Sequence, residues 1–175
     1  MPRPFFENHS KKLQEIIRVN HAGEFGAQKI YQGQIKYSKN PEDKKLLVHM
    51  LKQEEEHLDY FSEKLKKGQS RPTILMPIWN IAGYALGAVS AKLGIKSAML
   101  VTENVETVIE GHYQEQIEYL EQNDKENPML GKIKKFKADE AEHKNIALES
   151  KNSNGVVAGM IKAMCKAAIF LSKKI

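Results

Sequence analysis

A glutamate followed three residues later by a histidine occurs twice in this chain, and this repeated pair limits the possible folds more than any other feature. The first copy is Glu54 and His57, and the second is Glu140 and His143. Residues three apart share one side of an α-helix, and in both copies apolar residues continue that side at helical spacing. Both pairs are therefore predicted to face a core. Burial without partners would cost each carboxylate roughly several kcal/mol, and a metal ion bound by carboxylate and neutral imidazole removes that cost.

Taken alone, a Glu-x-x-His pair on a helix is more often exposed or salt-bridged, and the repetition is what makes the metal interpretation specific. Each pair is preceded by a further glutamate on an amphipathic helix, thirty residues earlier in the first case and thirty-four in the second. The chain thus contains two copies of one helical hairpin. Together they provide the donors of a carboxylate-bridged dimetal site in a four-helix bundle. The six predicted ligands are Glu24, Glu54, His57, Glu106, Glu140 and His143.

The lone glutamate of the second hairpin is ambiguous, because three glutamates follow one helical stripe there. Glu103 and Glu110 flank Glu106, and a small rotation of the helix would exchange them. We prefer Glu106, partly because of a resemblance described below. Three more glutamates lie one or two positions off the seams and are predicted to face solvent: Glu55, Glu56 and Glu142.

The chain has 175 residues, of which 41% are hydrophobic, and this is enough for one sizeable core. Helix-forming residues dominate and strand-like alternation is absent, so a single all-α domain is expected over 1–175. Mixed carboxylate and imidazole donors favour iron or manganese over structural zinc, and the ligands alone do not choose between the two. The predicted elements are a hairpin over 9–67, an apolar crossover over 73–95, a hairpin over 97–150 and an amphipathic C-terminal helix over 155–172.

The charge balance points to a membrane surface and not to nucleic acid. Lys and Arg total 27 against 22 Asp and Glu, a net charge of +5, but they are spread thinly and no recognition motif accompanies them. A basic rim beside an anionic membrane fits better. The single cysteine, Cys165, excludes an intramolecular disulfide and is expected to be a small apolar filler. The first residues lack the apolar run of a signal peptide, so a cytoplasmic chain is expected.

The stretch from Thr73 to Ala91 contains nineteen residues without a charge, which is the length of a membrane span. Pro77 and several small residues argue against a crossing. One alternative is a buried crossover between the two hairpins. The other is a segment that lies in the headgroup layer, with Trp79 and Tyr84 at the interface.

The C-terminal segment over 155–175, which contains the predicted helix over 155–172, favours the second alternative. Lys162, Lys166 and Lys173 share one face of this segment, and apolar residues cover the others. A packed accessory helix explains that pattern as well as a membrane-lying helix does. With two such segments beside one bundle, we expect peripheral membrane association at the cytoplasmic face of the inner (cell) membrane.

Four motifs, in order along almost the whole chain, resemble the demethoxyubiquinone hydroxylase family. They are RVNHAGEFGA at 18–27, EEEH at 54–57, Val105-Glu106 leading to His112-Tyr113, and Lys134-Lys135-Phe136 leading to DEAEH at 139–143. The resemblance implies a ferritin-like bundle in which the six predicted ligands hold two iron ions (Fe2+/Fe3+). This sequence departs from the family pattern at Thr107, where an acidic residue is common, and at Gly111, where a histidine is common.

The resemblance also implies an activity: an O2-dependent monooxygenase that hydroxylates the ring of a demethoxyubiquinone late in ubiquinone biosynthesis. His112 and Tyr113 would relay electrons or protons between the metals and an external reductant such as NADH. The implied partners are an isoprenoid quinone, the membrane surface, a lipid-binding accessory protein and other enzymes of ubiquinone synthesis. The oligomeric state, including a homo-oligomer, is left open.

Two other classes of function fit part of the pattern. A ferritin-like ferroxidase or peroxide-handling dimetal enzyme would use all six ligands but has no use for the apolar stretch at 73–91. A non-catalytic helical membrane-binding module would use the apolar segments and would leave six inward-facing polar residues without a cause. The hydroxylase accounts for both features.

Overall fold

The computed structural model of the protein describes residues 11–149 and 155–174. This part of the chain is all-α, as predicted, and its helix ends agree with the predicted ones to within a few residues. The predicted helix start at His9 and helix end at Ser150 lie outside the described residues. The helices are α1 (Lys11–Tyr37), α2 (Pro41–Lys66), α3 (Met76–Lys92), α4 (Ile95–Asn123), α5 (Pro128–Glu149) and α6 (Gly155–Lys174).

The helix ends follow local sequence signals. The Asn40 side chain caps α2 by accepting a hydrogen bond of 2.8 Å from the backbone N–H of Glu42, and Pro41 occupies the first turn, where its missing N–H costs nothing. Beyond the end of α2, Gly68 takes a positive φ of 70°. Asn127 similarly accepts a hydrogen bond from the backbone N–H of Met129 at the start of α5.

The chain divides into two compact units, of which the first contains α1, α2, α3 and the last turns of α6 from Ala167. Helix α1 packs against both α2 and α3. The contact with α2 buries Tyr31, whose hydroxyl lies 3.8 Å from the sulfur of Met50. The Gln28 side chain donates a hydrogen bond of 3.1 Å to the backbone carbonyl of Glu54. These contacts fix the register of the first hairpin.

Glycines let α1 and α3 approach closely. A Cβ on Gly87 would overlap the carbonyl oxygen of Ile30, and one on Gly33 would lie 2.7 Å from the backbone nitrogen of Ala88. The mid-helix glycines Gly23 and Gly26 have open space where a Cβ would be. The α1 backbone is nevertheless close to α3 at Gly26, because a Cβ on Gly83 would lie 2.9 Å from the Gly26 carbonyl oxygen.

The crossover contains α3. One face of this helix is buried, as expected for a buried crossover, and the other is exposed and apolar, as expected for a segment in the headgroup layer. Gly83, Gly87, Ala88, Ser90 and Ala91 are buried. Exposed apolar side chains of α3 are Ile78, Ile81, Tyr84 and Val89, and Ile74 before the helix is exposed as well. A helix that packs on one face and presents hydrocarbon on the other has an apolar surface available for a further contact.

The last turn of α6 is attached to the first unit by polar contacts. Arg18 of α1 donates hydrogen bonds of 3.0 and 2.9 Å to the carbonyl oxygens of Ser172 and Lys173. The indole N–H of Trp79 donates a hydrogen bond of 3.2 Å to the Ser172 hydroxyl. Carbonyl groups at a helix C-terminus lack partners within the helix, so Arg18 caps α6 with a cation.

The second unit, Leu93–Lys166, contains α4, α5 and the first turns of α6. Helices α4 and α5 form an antiparallel hairpin that buries Met99, Leu120, Ile133 and Phe136. Lysines of α5 bridge to α4 along the hairpin. Their partners are Glu121 for Lys134 at 2.6 Å, Gln114 for Lys137 at 2.7 Å, and Glu110 for Lys144.

Most of α6 is exposed although it is apolar. Ile161 and Ser172 are buried, whereas Val156, Met160, Met164 and Phe170 are exposed. Among the described residues, α6 is the one helix that is long and apolar enough to cross a membrane, judged by length and composition only. No acidic residue occurs in it.

Candidate metal centre

The first hairpin brings three of the predicted ligands together. Glu24 of α1 and Glu54 and His57 of α2 are all buried, and each offers a donor atom within 4.8 Å of the donors of the other two. The Nδ1 atom of His57 lies 3.5 Å from Glu24 Oε2 and 3.9 Å from Glu54 Oε2. Ile17, Asn20, Ala27 and Tyr31, which share this side of α1 at helical spacing, are also buried, whereas Leu13 on the same side is only partly buried.

The second hairpin repeats this arrangement. Glu106 of α4 and Glu140 and His143 of α5 are buried and offer donor atoms within 4.8 Å of one another. The Nδ1 atom of His143 lies 3.3 Å from Glu140 Oε2. In both hairpins the same ring nitrogen faces a carboxylate, as expected for two copies of one supersecondary unit.

Burial distinguishes Glu106 from its two neighbours on the stripe. Glu106 is 1% exposed, whereas Glu103 and Glu110 are only partly buried. Glu110 is bonded to Lys144, and the Glu103 backbone carbonyl accepts a hydrogen bond from the Thr107 hydroxyl. Glu106 is thus the glutamate of this stripe that reaches the buried cluster.

The donor set fits a cation with carboxylate and imidazole ligands. Each hairpin buries two carboxylates within 4.8 Å of one another, and like charges at that distance repel strongly in a medium of low dielectric. A divalent metal ion offsets this repulsion and uses deprotonated carboxylates with neutral imidazoles. Oxygen and imidazole donors without thiolate match iron or manganese, and nothing in the donor set opposes iron.

The two residues predicted to relay electrons or protons differ in their surroundings. Tyr113, seven residues beyond Glu106 on α4, is buried, and its ring centroid lies 6.5 Å from that of Phe136. The Nδ1 atom of His112 lies 3.5 Å from Glu115 Oε2, and the Glu115 side chain is exposed. Tyr113 therefore belongs to the buried seam that carries Glu106, and His112 lies at its margin.

Several polar residues around the two clusters could not be read from spacing. Gln28 contacts the backbone of Glu54, and Lys144 contacts Glu110; both contacts join residues that are far apart in sequence.

Cys165 of α6 lies close enough to Glu106 to respond to its charge. Burial, and then the Glu106 carboxylate, raise the pKa of the Cys165 thiol to about 11. The thiol stays protonated at neutral pH, in agreement with its prediction as an apolar filler.

An all-α chain in which two hairpins each bury a glutamate and a Glu-x-x-His pair defines a class, the ferritin-like carboxylate dimetal proteins. Comparison with known proteins narrows this class. Residues 11–172 match the family described as Ubiquinone biosynthesis protein COQ7, and the chain belongs to that family.

Individual relatives are similar over most of their length. The chain is 42% identical over 170 residues to the NADPH-dependent 3-demethoxyubiquinone 3-hydroxylase, mitochondrial, of Dictyostelium discoideum, covering 93% of this chain and 77% of the relative. It is 41% identical over 169 residues to the human protein of the same name, covering 93% and 78%. The 3-demethoxyubiquinol 3-hydroxylase of Rhodospirillum rubrum is 39% identical over 168 residues, again covering 93% and 78%.

Proposed function

We propose that this protein is a 3-demethoxyubiquinone 3-hydroxylase, an oxidoreductase of ubiquinone biosynthesis. The observation that carries the proposal is the buried set of glutamates and histidines in each hairpin, in a chain that belongs to a ubiquinone biosynthesis family. Curated relatives from a bacterium and from eukaryotes are named for this reaction. The substrate class is accordingly a quinone or quinol whose ring lacks one oxygen substituent.

We further propose that both hairpins belong to one domain and serve one pair of iron ions. Each hairpin supplies two carboxylates and one imidazole, and a dimetal site of the ferritin-like kind needs four carboxylates and two imidazoles. The proposed ligands are Glu24, Glu54, His57, Glu106, Glu140 and His143. When bound, the iron pair would supply the activation of O2, one oxygen atom of which enters the ring.

The protein residues have three tasks in this reaction. The buried glutamates would bind the metals as carboxylates and the histidines as neutral imidazoles, and the Nδ1 atoms of His57 and His143 face carboxylates. The apolar seams of the hairpins exclude water, which prevents loss of reactive oxygen to solvent. We propose that Tyr113 and His112 pass an electron or proton toward Glu106, which the position of Tyr113 on the same buried seam of α4 supports.

The electrons come from an external reductant, and the names of several relatives specify NADPH. A nicotinamide cofactor supplies an electron pair, as monooxygenation requires when the second oxygen atom leaves as water. We propose a nicotinamide nucleotide as the donor for this chain as well. A lipid-binding accessory protein and other enzymes of ubiquinone synthesis remain proposed partners.

The exposed faces of α3 and α6 support peripheral membrane association at the cytoplasmic face of the inner (cell) membrane. Both helices present large apolar side chains to solvent and contain no acidic residue, while Lys92, Lys162, Lys166 and Lys173 accompany them. Apolar surface with a basic margin suits an anionic bilayer. The isoprenoid tail of the substrate would stay in that bilayer while the ring enters the bundle.

Elemental analysis of the purified protein tests the metal part of this proposal. We expect two iron ions per chain after anaerobic loading with Fe2+, and loss of both in a variant that carries Glu54→Ala and Glu140→Ala. The same change at the exposed positions Glu55 and Glu142 is the matched control and should leave the iron content unchanged. Equal iron content in the two double variants would contradict the ligand assignment.

A further inference from the structure

The ion pair between Glu110 of α4 and Lys144 of α5 has no part in metal binding as described above, yet it lies directly beside the proposed ligands. Glu110 follows Glu106 by one helical turn, and Lys144 follows Glu140 by one turn and is the residue after His143. Both side chains are largely buried, with 23% and 25% of their surface exposed. The pair therefore links the two helices of the second hairpin next to its three ligands.

Glu110 has the features of a competing ligand. It shares the inward stripe of α4 with Glu106, and a carboxylate side chain reaches several ångströms from its helix. In a hairpin that already holds two carboxylates and an imidazole, a third carboxylate would change the coordination number and the charge of the metal site. In the structure the Lys144 ammonium engages Glu110 Oε2 instead.

We propose that Lys144 is a positioning residue that holds Glu110 away from the metals, so that Glu106 is the ligand from α4. This inference rests on the proposed metal site and adds a determinant of which glutamates enter it. A carboxylate bonded to a largely buried ammonium gains a charge-assisted hydrogen bond that it would lose on turning toward the metal. Residues that hold or orient groups next to a metal commonly alter its affinity about 10-fold or more when they are changed.

The chain offers a matched control for the loss of a cross-helix lysine contact. Lys137 donates a hydrogen bond of 2.7 Å to Gln114, also between α5 and α4. Removing the Lys137 side chain frees no carboxylate, because its partner Gln114 is an amide. Lys137→Met and Lys144→Met thus remove the same side-chain type and the same kind of helix-to-helix contact, and only the second releases a glutamate on the ligand stripe.

Binding of Co2+ by the full chain, followed through its visible absorption bands, tests the inference because these bands report the ligand number and geometry. We expect Lys144→Met to shift the bands and to change the apparent Kd by about 10-fold, and Lys137→Met to leave both unchanged. Glu110→Gln should match the wild type, since the neutral amide is a poor substitute for a carboxylate ligand. Adding Glu110→Gln to Lys144→Met should restore the wild-type bands.

Four results would overturn the inference. Wild-type bands in Lys144→Met would show that Glu110 stays away from the metal without its partner. A double variant that keeps the shifted bands would assign the shift to packing. Loss of Co2+ binding in Glu110→Gln would make Glu110 itself a ligand. Absence of Co2+ bands in the wild type would contradict the proposed metal site and this inference together. The first two results leave the proposed metal site as it is, and the third changes one of its ligands.

Discussion

Glu140 is wholly buried, and its Oε2 atom lies 3.3 Å from the Nδ1 atom of His143. Replacing it with alanine removes one donor from the proposed metal site, which uses four carboxylates. We expect Glu140→Ala to lower iron affinity at least about 10-fold and to abolish hydroxylation. Equilibrium dialysis with Fe2+ and a turnover assay measure the two effects. Turnover by a fully metal-loaded Glu140→Ala protein would contradict the assignment of this ligand.

His21 of α1 provides a prediction about pH. Its side chain is partly buried, and this burial lowers its pKa below the ordinary value of 6.5. The unfolded chain therefore binds a proton at His21 more readily than the folded chain does. The contribution of neutral His21 to stability is fully present above about pH 6.5 and is lost as the pH falls below that value.

Urea unfolding of the wild type and of His21→Gln measures this contribution. The two proteins are compared at about pH 7.5 and about pH 5.5, which lie above and below the ordinary histidine pKa of about 6.5. The difference in unfolding free energy between wild type and variant should change in favour of the variant at the lower pH. Taking the difference between the two unfolding free energies cancels the contributions of the carboxylates and histidines that both proteins share. A difference that does not depend on pH would contradict the predicted pKa shift of His21.

At the residue scale, the sequence predicted the buried donors but not what surrounds them. The spacing of Glu54 and His57, and of Glu140 and His143, placed each pair on an apolar face, and all four are buried. For the α4 glutamate, spacing alone left three candidates because the stripe tolerates a small rotation. The partner that engages Glu110 comes from a helix thirty-four residues away, and such pairings depend on how helices pack.

At the scale of elements, the contact between α1 and α3 depends on Gly87. A Cβ at this position would overlap the carbonyl oxygen of Ile30 in the α1 backbone, which cannot move aside as a side chain can. We expect Gly87→Ala to lower the unfolding free energy by about 1–3 kcal/mol, the usual range for overpacking. Urea unfolding followed by circular dichroism measures this change.

Gly131 of α5 is the control for that experiment, because a Cβ there meets nothing within 4 Å. Gly131→Ala should stabilise the protein by up to about 1 kcal/mol through helix propensity alone. If both alanine variants were stabilised equally, α1 and α3 would not be in close contact through Gly87.

The helices themselves followed from local signals, whereas their contacts did not. Asn40, Pro41 and Gly68 mark the ends of α2 in the sequence and in the structure alike, because caps involve neighbours in the chain. The capping of α6 by Arg18 joins residues 154 positions apart and leaves no periodic trace. The apolar pattern of α3 likewise showed that it has hydrocarbon to bury, but not which face meets α1.

At the scale of the whole molecule, exposed hydrocarbon on α6 predicts binding to a bilayer. Met160 and Met164 are 61% and 56% exposed. Burial of a methionine side chain contributes about 1.5–3 kcal/mol, so replacing both with aspartate should reduce membrane affinity by at least about 100-fold. Flotation with vesicles of phosphatidylcholine and phosphatidylglycerol measures the bound fraction.

Val48→Asp is the control for the flotation experiment, because Val48 is an exposed apolar residue of α2, a helix that is not proposed to contact the membrane. This variant should float with the vesicles as the wild type does. If the α6 double variant also floated normally, the exposed methionines would not form the membrane contact.

The central claim is that buried glutamates and histidines hold metals that direct O2 to a quinone ring. Product analysis by mass spectrometry tests it most directly, with iron-loaded protein, a reductant, a demethoxyquinone and O2 enriched in heavy oxygen. The account predicts a hydroxylated quinone that carries one heavy oxygen atom, and no such product from the Glu140→Ala variant. Iron-loaded wild-type protein that reduces O2 but returns the quinone unchanged would contradict the account and favour a ferroxidase or peroxide-handling enzyme.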